Sequence, residues 1–227
     1  ALNTRLVGSE MCIRDRIFYK PTESLHIDLG IHFSKSSNIP RYDRLTRNDE
    51  NQVINSNEQG LYYSEWYYGP QEWLLINSQL TYNPKSKKIY DKLKFGVAFQ
   101  KFSESRNSRK FNENFLNSRE EELDIFSFNL DFFKKISQSS DITYGLELIN
   151  NDVGSFAISS NINDFTTLPI STRYPNNSSL NSFGLYVNYK NKIIEDVFFQ
   201  SGLRYSSTIL EADLSQNNIY YDFPFEN

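Results

Sequence analysis

The chain has 227 residues, with 18 Phe and 15 Tyr, and yet its mean hydropathy is polar, at -0.58. It has no run near the ~20 consecutive apolar residues of a spanning helix, which excludes a helical membrane protein. The net charge of -4 argues against a nucleic-acid surface, and neither a dinucleotide-binding nor a P-loop motif is present. A polar mean does not exclude a membrane β-barrel, whose strands place apolar residues only at alternate positions.

The first twenty residues differ in character from the rest. RLVGSEMCIRDR (Arg5–Arg16) holds the only Cys and the only Met, and it resembles a translated sequencing-adapter tail. We therefore predict that residues 1–20 are a foreign or disordered segment with few contacts to the remainder; the alternative is a genuine short N-terminal segment. Without Cys12, a thiol nucleophile, a zinc–thiolate site and a disulfide are all excluded.

From Pro21 onward, apolar and polar residues alternate with a period of two, which predicts β-strands with one apolar face. We predict seven strands and no convincing helix. Their apolar positions begin with Leu25, Ile27, Leu29, Ile31 and Phe33, and continue with series around residues 74–82, 93–99, 126–132, 142–148, 183–189 and 197–205. The third series is Leu93, Phe95, Val97 and Phe99; together with the first, it is predicted to face lipid.

The predicted connections alternate in length. Residues 83–88, 134–140 and 190–196 are short, whereas Ser36–Gly60, Ser103–Glu121 and Val153–Leu180 are long and polar. Loops this long are uncommon in compact soluble domains. Outer-membrane barrels do have short periplasmic turns and long outer loops. The sequence therefore predicts an all-β fold, an antiparallel up-and-down transmembrane β-barrel that is open because seven strands do not close it.

The stretch LYYSEWYYGPQEWLL (Leu61–Leu75) concentrates large amphipathic rings around a Gly-Pro pair. Such rings form girdles where barrel strands leave the hydrocarbon layer. We predict an outer girdle here, with a bulge or bend at Gly69–Pro70. Its members are Tyr62, Trp66, Tyr67, Tyr68 and Trp73. The alternative is a buried aromatic cluster in a soluble β-sandwich that binds carbohydrate.

Several stretches near the predicted loops resemble the barrel of TonB-dependent outer-membrane receptors, in the haemoglobin and haem receptor branch. They are IPRYDRL (Ile39–Leu45), SEWYYGPQ (Ser64–Gln71), AFQKFSESRNSRKF (Ala98–Phe111), STRYP (Ser171–Pro175) and SGLRYS (Ser201–Ser206). The resemblance implies a 22-stranded barrel around an N-terminal plug, importing a scarce ligand with energy relayed by TonB. Residues 21–227 would be a partial barrel domain, because no plug domain is present in the sequence, and TonB would be contacted through that missing plug.

Arginines and neighbouring residues near the predicted loops are candidates for binding an anionic ligand, because guanidinium groups give bidentate contacts to carboxylates. The alternative is a structural role, in which these residues form a network that connects the loops to the barrel wall. The candidates are Arg41, Tyr42, Asp43, Arg44, Arg106, Arg109, Arg173 and Tyr174.

No catalytic residue, metal site or cofactor is predicted. His26 and His32 lie six residues apart on one strand, or ~20 Å, so they cannot chelate one metal together. The resulting hypothesis is a wall of an outer-membrane receptor that imports haem, an iron complex or a similar scarce ligand and does not catalyse a reaction. Its partners would be outer-membrane lipid, TonB and an extracellular ligand, without nucleic acid. The alternatives are a passive porin-like channel and the soluble β-sandwich.

Overall fold

A computed structural model of the chain describes residues 10–49, 52–53 and 60–213. These residues form one antiparallel sheet and a single 3-10 turn, Tyr42–Arg44. None of the described residues belongs to a helix long and apolar enough to cross a membrane. The strands are β1 (Glu10–Tyr19), β2 (Leu25–Ser36), β3 (Ile39–Pro40), β4 (Tyr63–Tyr68), β5 (Glu72–Tyr82), β6 (Lys92–Lys110), β7 (Phe115–Lys135), β8 (Ser140–Asn161), β9 (Thr167–Pro169), β10 (Ser178–Ile194) and β11 (Val197–Glu211).

The sheet is open, with strand order β1-β2-β5-β6-β7-β8-β10-β11. Three short strands lie beside this path. β3 pairs with β4, β4 also pairs with β6, and β9 pairs with β8. The all-β, antiparallel, open class is confirmed. The described residues form 11 strands and not seven, because the prediction excludes residues 1–20, which contain β1, and β3, β4 and β9 are too short to show a period. The described residues contain no second sheet, which contradicts the β-sandwich.

The prediction that the segment before Pro21 makes few contacts is wrong for its described part. β1 pairs with β2 along its whole length, from Glu10 opposite Ser36 to Tyr19 opposite Ile27, although it lies at the edge of the sheet. The Arg16 guanidinium also donates to the Asp28 carboxylate, at 2.6 Å from Nε. An edge strand offers unpaired backbone groups that almost any extended segment can join, so β1 needs no strict alternation.

The register separates two faces. Residues opposite each other in antiparallel strands share a face, and the row through Val97 contains Leu29, Ser78, Phe128, Leu148 and Phe183. All nine residues predicted to face lipid lie on this face. Among the described residues no second layer covers it, and Leu29 and Ile31 remain 45% and 43% exposed. The row one residue along contains Gly30, Asn77, Ala98, Ser127, Ile149 and Ser182. Apart from Ile149 these residues are small or polar, and they belong to a polar face.

Ion pairs bound the apolar face at both ends. Lys101 lies 3.4 Å from Glu122 and 3.9 Å from Asp124 at one end, and Lys134 lies 3.3 Å from Asp91 at the other. We call the apolar residues between these pairs the belt. The ten residue steps from Asp91 to Lys101 extend ~33 Å along the strand, which is ~25 Å along the membrane normal at a tilt of ~40°. That height equals the apolar band of a transmembrane barrel.

The belt also runs obliquely across the sheet. Its last apolar residue at the rim end is Phe33 on β2, Phe99 on β6 and Phe183 on β10. Relative to the row of paired residues that contains Phe33, Phe99 lies two residues lower and Phe183 four residues lower. This is a drop of four residues across five strand spacings, or ~13 Å over ~24 Å, an inclination of ~30°. Strands of membrane barrels tilt by a similar angle, so the drift keeps the belt parallel to a membrane plane.

Two of the three predicted long loops consist largely of strand. β6 and β7 extend to Lys110 and Phe115, which leaves only a tight turn within Ser103–Glu121, and β8 and β9 occupy much of Val153–Leu180. The short turns at the opposite end are confirmed. We call the region of β6, β7 and β8 beyond the upper ion pairs, with β3, β4, β9 and their connections, the rim.

One interruption positions the rim relative to the belt. β4 and β5 pair with successive parts of β6, from Tyr68 opposite Arg106 to Glu72 opposite Ser103, so residues 69–71 break a single long strand. This confirms the predicted bulge or bend at Gly69–Pro70. The Gly69 N–H donates to the Ser105 carbonyl at 2.9 Å, and proline has no N–H to leave unpaired. β2 and β3 are interrupted beside it, at residues 37–38.

Candidate functional site: a cationic pocket at the rim

A cavity of about 340 Å³ lies at the rim, on the face opposite the belt. Five cationic side chains and one carboxylate line it. Its residues are Arg44, Asp49, Tyr63, Trp66, Arg106, Ser108, Lys110, Asn117, Arg119 and Arg173. We call it the rim pocket.

The strand period brings the pocket residues together. Arg106, Ser108 and Lys110 are alternate residues of β6, and the first two lie opposite Arg119 and Asn117 of β7. Two arginines directly opposite each other repel. The Arg119 Nε donates to the Ser171 carbonyl at 3.0 Å, and the Arg106 guanidinium lies 5.4 Å from the Tyr68 ring centre. These contacts hold two like charges side by side at the pocket wall.

Arg41 packs behind the pocket and has its own carboxylate. Its Nε and Nη2 donate to Asp43 at 2.8 and 2.7 Å, and its Nη1 donates to the Tyr68 hydroxyl at 3.1 Å. The Asp43 carboxylate raises the pKa of Arg41 above its ordinary value. The guanidinium groups of Arg41 and Arg44 lie 5.7 and 5.5 Å from the Trp66 ring centre. Arg41 therefore connects the loop to β4.

Two further predicted arginines also have carboxylate partners. Arg109 Nε donates to Glu65 at 2.7 Å, and both side chains lie on the belt's side of the sheet, away from the pocket. Arg173 lies 3.2 Å from Glu121 and 3.7 Å from Glu104. Burial raises the pKa of Glu121 above its usual value, although the positive charge of Arg173 opposes this.

Asp49 organises the opposite wall of the pocket. It accepts hydrogen bonds from the hydroxyls of Tyr62, at 2.7 Å, and Tyr63, and it lies 2.8 Å from the Lys110 Nζ. Burial alone would raise the pKa of Asp49, but the bonds from Lys110 and the two tyrosines outweigh it and lower that pKa. The same carboxylate raises the pKa of Lys110.

The pocket thus includes three of the eight predicted ligand-binding candidates, Arg44, Arg106 and Arg173. Tyr174 lies beside it, with the Arg173 guanidinium 5.0 Å from its ring centre, while Tyr42 is 60% exposed. Sequence reasoning missed Asp49, Tyr63, Ser108, Lys110, Asn117 and Arg119. The signal that would have found two of them, Ser108 and Lys110, is the polar period of two in Arg106-x-Ser108-x-Lys110.

The register contradicts most of the predicted outer girdle. Trp66, Tyr68 and Trp73 lie on the face opposite the belt, and the Trp73 indole donates to Gln100 at 3.2 Å. If the belt faces hydrocarbon, these three rings cannot lie at the same lipid interface. Tyr67 is on the belt's side, whereas Tyr62 precedes β4 and binds Asp49. The break at Gly69–Gln71 determines how the alternation of β4 continues into β5, and hence which of these rings share the belt's side. The sequence did not show this.

A different set of rings lies on the belt's side at the short-turn end. Tyr82, Tyr144 and Tyr189 occupy the ends of the alternating apolar series on their strands. Tyr144 stacks on Phe132 with ring centres 5.0 Å apart, and its hydroxyl donates to the Ile89 carbonyl at 3.2 Å. Each tyrosine adjoins a short connection, a signal that was available in the sequence.

Neither predicted histidine belongs to a metal cluster. The ring centres of His32 and Trp73 lie 4.8 Å apart, and the His32 Nδ1 lies 3.9 Å from the Cys12 Sγ. The ring centres of His26 and Phe18 lie 5.8 Å apart. In the described part of the chain, no group of three or more His, Cys, Asp or Glu residues is close enough to hold a metal ion.

The comparison with protein families agrees with this geometry. The sequence profile of the Outer membrane protein beta-barrel family matches residues 76–227, which is two thirds of the chain. The chain belongs to this family. As a member of the Outer membrane protein beta-barrel family, it is a protein of the outer membrane, and its surroundings are membrane lipid. Among curated proteins, none matches the chain.

Proposed function

We propose that the chain forms the ligand-binding wall of an outer-membrane receptor that imports a scarce ligand with energy relayed by TonB. One observation carries the proposal. Four of the five stretches that resemble TonB-dependent receptors converge on the rim pocket or its immediate supports. IPRYDRL contributes Arg44, SEWYYGPQ contributes Trp66, AFQKFSESRNSRKF contributes Arg106, and STRYP contributes Arg173.

The length of the rim supports binding as the pocket's role. β6 continues nine residues past Lys101, and β7 and β8 continue beside it, so the pocket wall stands beyond the belt. A passive wall needs no such extension. In this proposal the belt, including Leu29, Val97 and Phe99, faces hydrocarbon, and Tyr82, Tyr144 and Tyr189 form the girdle at the periplasmic interface.

The polar face would line the lumen and meet a plug domain, through which TonB would act. The role is transport and not covalent catalysis. The resemblance to the haem receptor branch makes haem or an iron complex the first ligand to test.

A passive porin-like channel is the second candidate, because paired charges line the polar face within the belt. Arg204 Nη2 donates to Glu147 at 2.7 Å, and the Tyr186 hydroxyl donates to Asp131. A hydrated polar wall of this kind suits an aqueous channel as well as a plugged lumen.

Transport measurements on the full-length protein distinguish the candidates. Cells that express it are supplied with haem as sole iron source, with TonB intact or deleted, and the purified protein is placed in planar bilayers. The proposal expects haem accumulation that needs TonB, with no steady open-channel conductance. Accumulation without TonB, or a stable open conductance, would establish the passive channel. Absence of haem accumulation with TonB present would reject haem as the ligand.

A further inference from the structure

We infer that the connection between β5 and β6, residues 83–91, binds the phosphate headgroup of an anionic phospholipid through Lys87 and Lys88, with Ile89 among the acyl chains. We call residues 83–91 the basic connection. The inference goes beyond the proposed import function, because it needs only that the belt faces lipid. It applies to an importing receptor and to a passive channel alike.

The basic connection folds over the belt's side of the sheet. The Tyr144 hydroxyl donates to the Ile89 carbonyl at 3.2 Å, and the Lys134 Nζ donates to the Lys87 carbonyl. Tyr144 and Lys134 both lie on the belt's side, on β8 and β7. The connection therefore crosses the ends of these two strands on the side that carries the belt.

Asp91 fixes the height of the connection relative to the belt. Its carboxylate accepts hydrogen bonds from the Lys135 N–H at 2.6 Å and from the Lys134 Nζ at 3.3 Å. The pair of Asp91 and Lys134 bounds the belt at this end. The ring centres of Tyr90 and Phe132 lie 5.3 Å apart beside it. If the belt spans the hydrocarbon layer, the connection lies at the level of the lipid headgroups.

The connection has a surplus of positive charge. Lys85, Lys87 and Lys88 are exposed, and Asp91, its single carboxylate, is already bound by Lys134. Lys87 lies within electrostatic range of Asp91, but none of the three lysines forms an ion pair among the described residues. Lysines beside an anionic membrane surface are attracted to it, and a compact ammonium group binds phosphate as a point charge.

Ile89 supplies an apolar anchor beside these charges. It is 72% exposed and directly follows Lys88, at the end of the belt. An exposed isoleucine gains free energy when it enters the boundary between headgroups and acyl chains. The apolar stem of a lysine can lie along the same boundary while its ammonium group reaches a phosphate. The sequence Lys87-Lys88-Ile89 therefore suits a charged lipid better than a neutral one.

The other two short connections repeat this pairing of lysine with exposed isoleucine. Ile136 follows Lys134-Lys135, and Ile193 follows Lys190-Asn191-Lys192. The recurrence makes the pairing a property of the short-turn end and not of one turn. The contacts with Lys134 and Tyr144 show that the basic connection lies on the belt's side.

Lys190 and Lys192 provide a matched control at the same end of the sheet. Both lie on the polar face of β10, with their Nζ atoms 5.1 and 5.9 Å from the Phe198 ring centre. Replacing both by Gln changes the net charge as much as replacing Lys87 and Lys88 does. The two pairs differ in the side of the sheet on which they lie. Lys134 binds the Lys87 carbonyl, so Lys87→Gln keeps that contact.

The test is photolabelling of the full-length protein in phosphatidylcholine vesicles. The vesicles contain a trace of lipid with a photoreactive acyl chain and a phosphatidylglycerol or, separately, a phosphatidylcholine headgroup. Peptide mapping should show about fivefold or more labelling of residues 83–91 by the anionic lipid over the neutral one. Both lipids should label belt residues such as Val97 equally.

The double variant Lys87→Gln and Lys88→Gln should reduce the preference to within about twofold of one, because the charges near the surface are lost. The double variant Lys190→Gln and Lys192→Gln should keep it within about 1.5-fold of wild type, since these lysines lie on the polar face. Lys88→Gln alone should lose an intermediate amount, and it serves if the first double variant does not fold.

Equal labelling of residues 83–91 by both lipids in the wild type would overturn the inference, as would equal losses in the two double variants. Labelling by neither lipid would also overturn it, and would leave these lysines to an acidic partner in the aqueous phase. The experiment needs no TonB, so failure of import leaves its result unchanged. Labelling at Val97 reports separately whether the belt faces lipid.

Discussion

The belt and the rim use the same strands in opposite ways. Within the belt, β6 directs Val97 and Phe99 to one side and Ala98 to the polar side. Beyond Lys101, the side continuous with the belt carries charged residues such as Glu122, and the other side carries the rings and cations of the pocket. The backbone ladder continues through this change without a shift of register. The difference shows that the medium outside each strand segment, and not the strand itself, selects which residues each face bears.

The two regions also differ in what holds them. In the proposed arrangement the belt's outward side chains gain stability from hydrocarbon, whereas the rim depends on ion pairs and cation–π contacts such as Arg41 on Trp66. Exposed contacts of these kinds contribute ~1 kcal/mol or less each. We therefore expect the rim to open locally at lower free energy than the belt.

The largest expected effect comes from placing a charge in the belt. Val97→Arg, near mid-strand on the lipid side, should destabilise the full-length barrel by ~2–4 kcal/mol, because hydrocarbon does not solvate a guanidinium. The measurement is refolding stability in lipid vesicles. Arg at Leu93, Phe95 and Phe99 should cost progressively less toward either end of the strand.

The rim supplies the control for this charge. Glu120 lies on the same side of the sheet but beyond the upper ion pairs, and it is exposed. Glu120→Arg should leave the stability within ~0.5 kcal/mol of wild type. Equal costs for Val97→Arg and Glu120→Arg, or folding without lipid, would show that the belt does not face hydrocarbon.

The next effect concerns the polar face of the strands that carry the belt. A Cβ at Gly145 would lie 2.4 Å from the Leu130 carbonyl oxygen and 2.6 Å from the Tyr186 hydroxyl, so Gly145→Ala should cost ~1–3 kcal/mol in unfolding experiments. At Gly96 the nearest atom would be 3.9 Å away. Gly96→Ala should therefore gain ~0.5–1 kcal/mol, because alanine loses less conformational freedom in a strand. The same sign for both variants would contradict the close packing at Tyr186.

The smallest effect is a pH dependence confined to the rim. The pKa of Asp49 is lowered in the folded state, so its contribution is present above the ordinary aspartate value of ~3.9 and is lost as pH falls through the folded pKa. Because Asp49 and Lys110 are about 40% exposed, we expect ~1 kcal/mol or less. The protection of the Tyr62 and Tyr63 amides, which donate to the Leu45 carbonyl, should fall at acid pH. Protection here is the hydrogen-exchange rate of the unstructured peptide divided by the rate in the folded protein at the same pH.

Asp49→Asn should give low protection at these two amides at every pH, with no acid step in the protection. Amides of the belt, such as that of Val97, should not follow the same transition. An acid step that persists in Asp49→Asn would assign the dependence to another group.

Alternation made the belt predictable, and its loss hid the rim. From Leu93 to Phe99 apolar and polar residues alternate, and in the proposed arrangement the apolar side meets lipid and the other does not. In Ser103–Glu121 both sides are polar, so the hydrophobic period vanishes although the hydrogen-bonded strands continue. Pairing in this region depends on the neighbouring strand, which a single sequence does not reveal.

The pocket was predictable only in part for a related reason. Its arginines were identified by residue type, but whether each faces the cavity depends on its position in the two-residue alternation of its strand. Arg106 and Arg109 differ by three residues and therefore point to opposite sides. Which side of the sheet Trp66 and Tyr68 face depends on how the alternation continues across the break at residues 69–71, and no local sequence pattern specifies this.

The paired interruptions of β2–β3 and β4–β5 have a mechanical consequence. Both lie at the base of the rim, where the Ser36 N–H donates to the Gln71 carbonyl at 2.9 Å and Pro70 donates nothing. Among the described residues, the leaf made of β3, β4 and the turn Tyr42–Arg44 is therefore joined to the belt strands by short hinges, and its strand pairing outside the leaf is with β6. In the proposed function, a swing of this leaf about β6 would open the pocket to its ligand and leave the hydrogen-bond ladder of the belt strands intact.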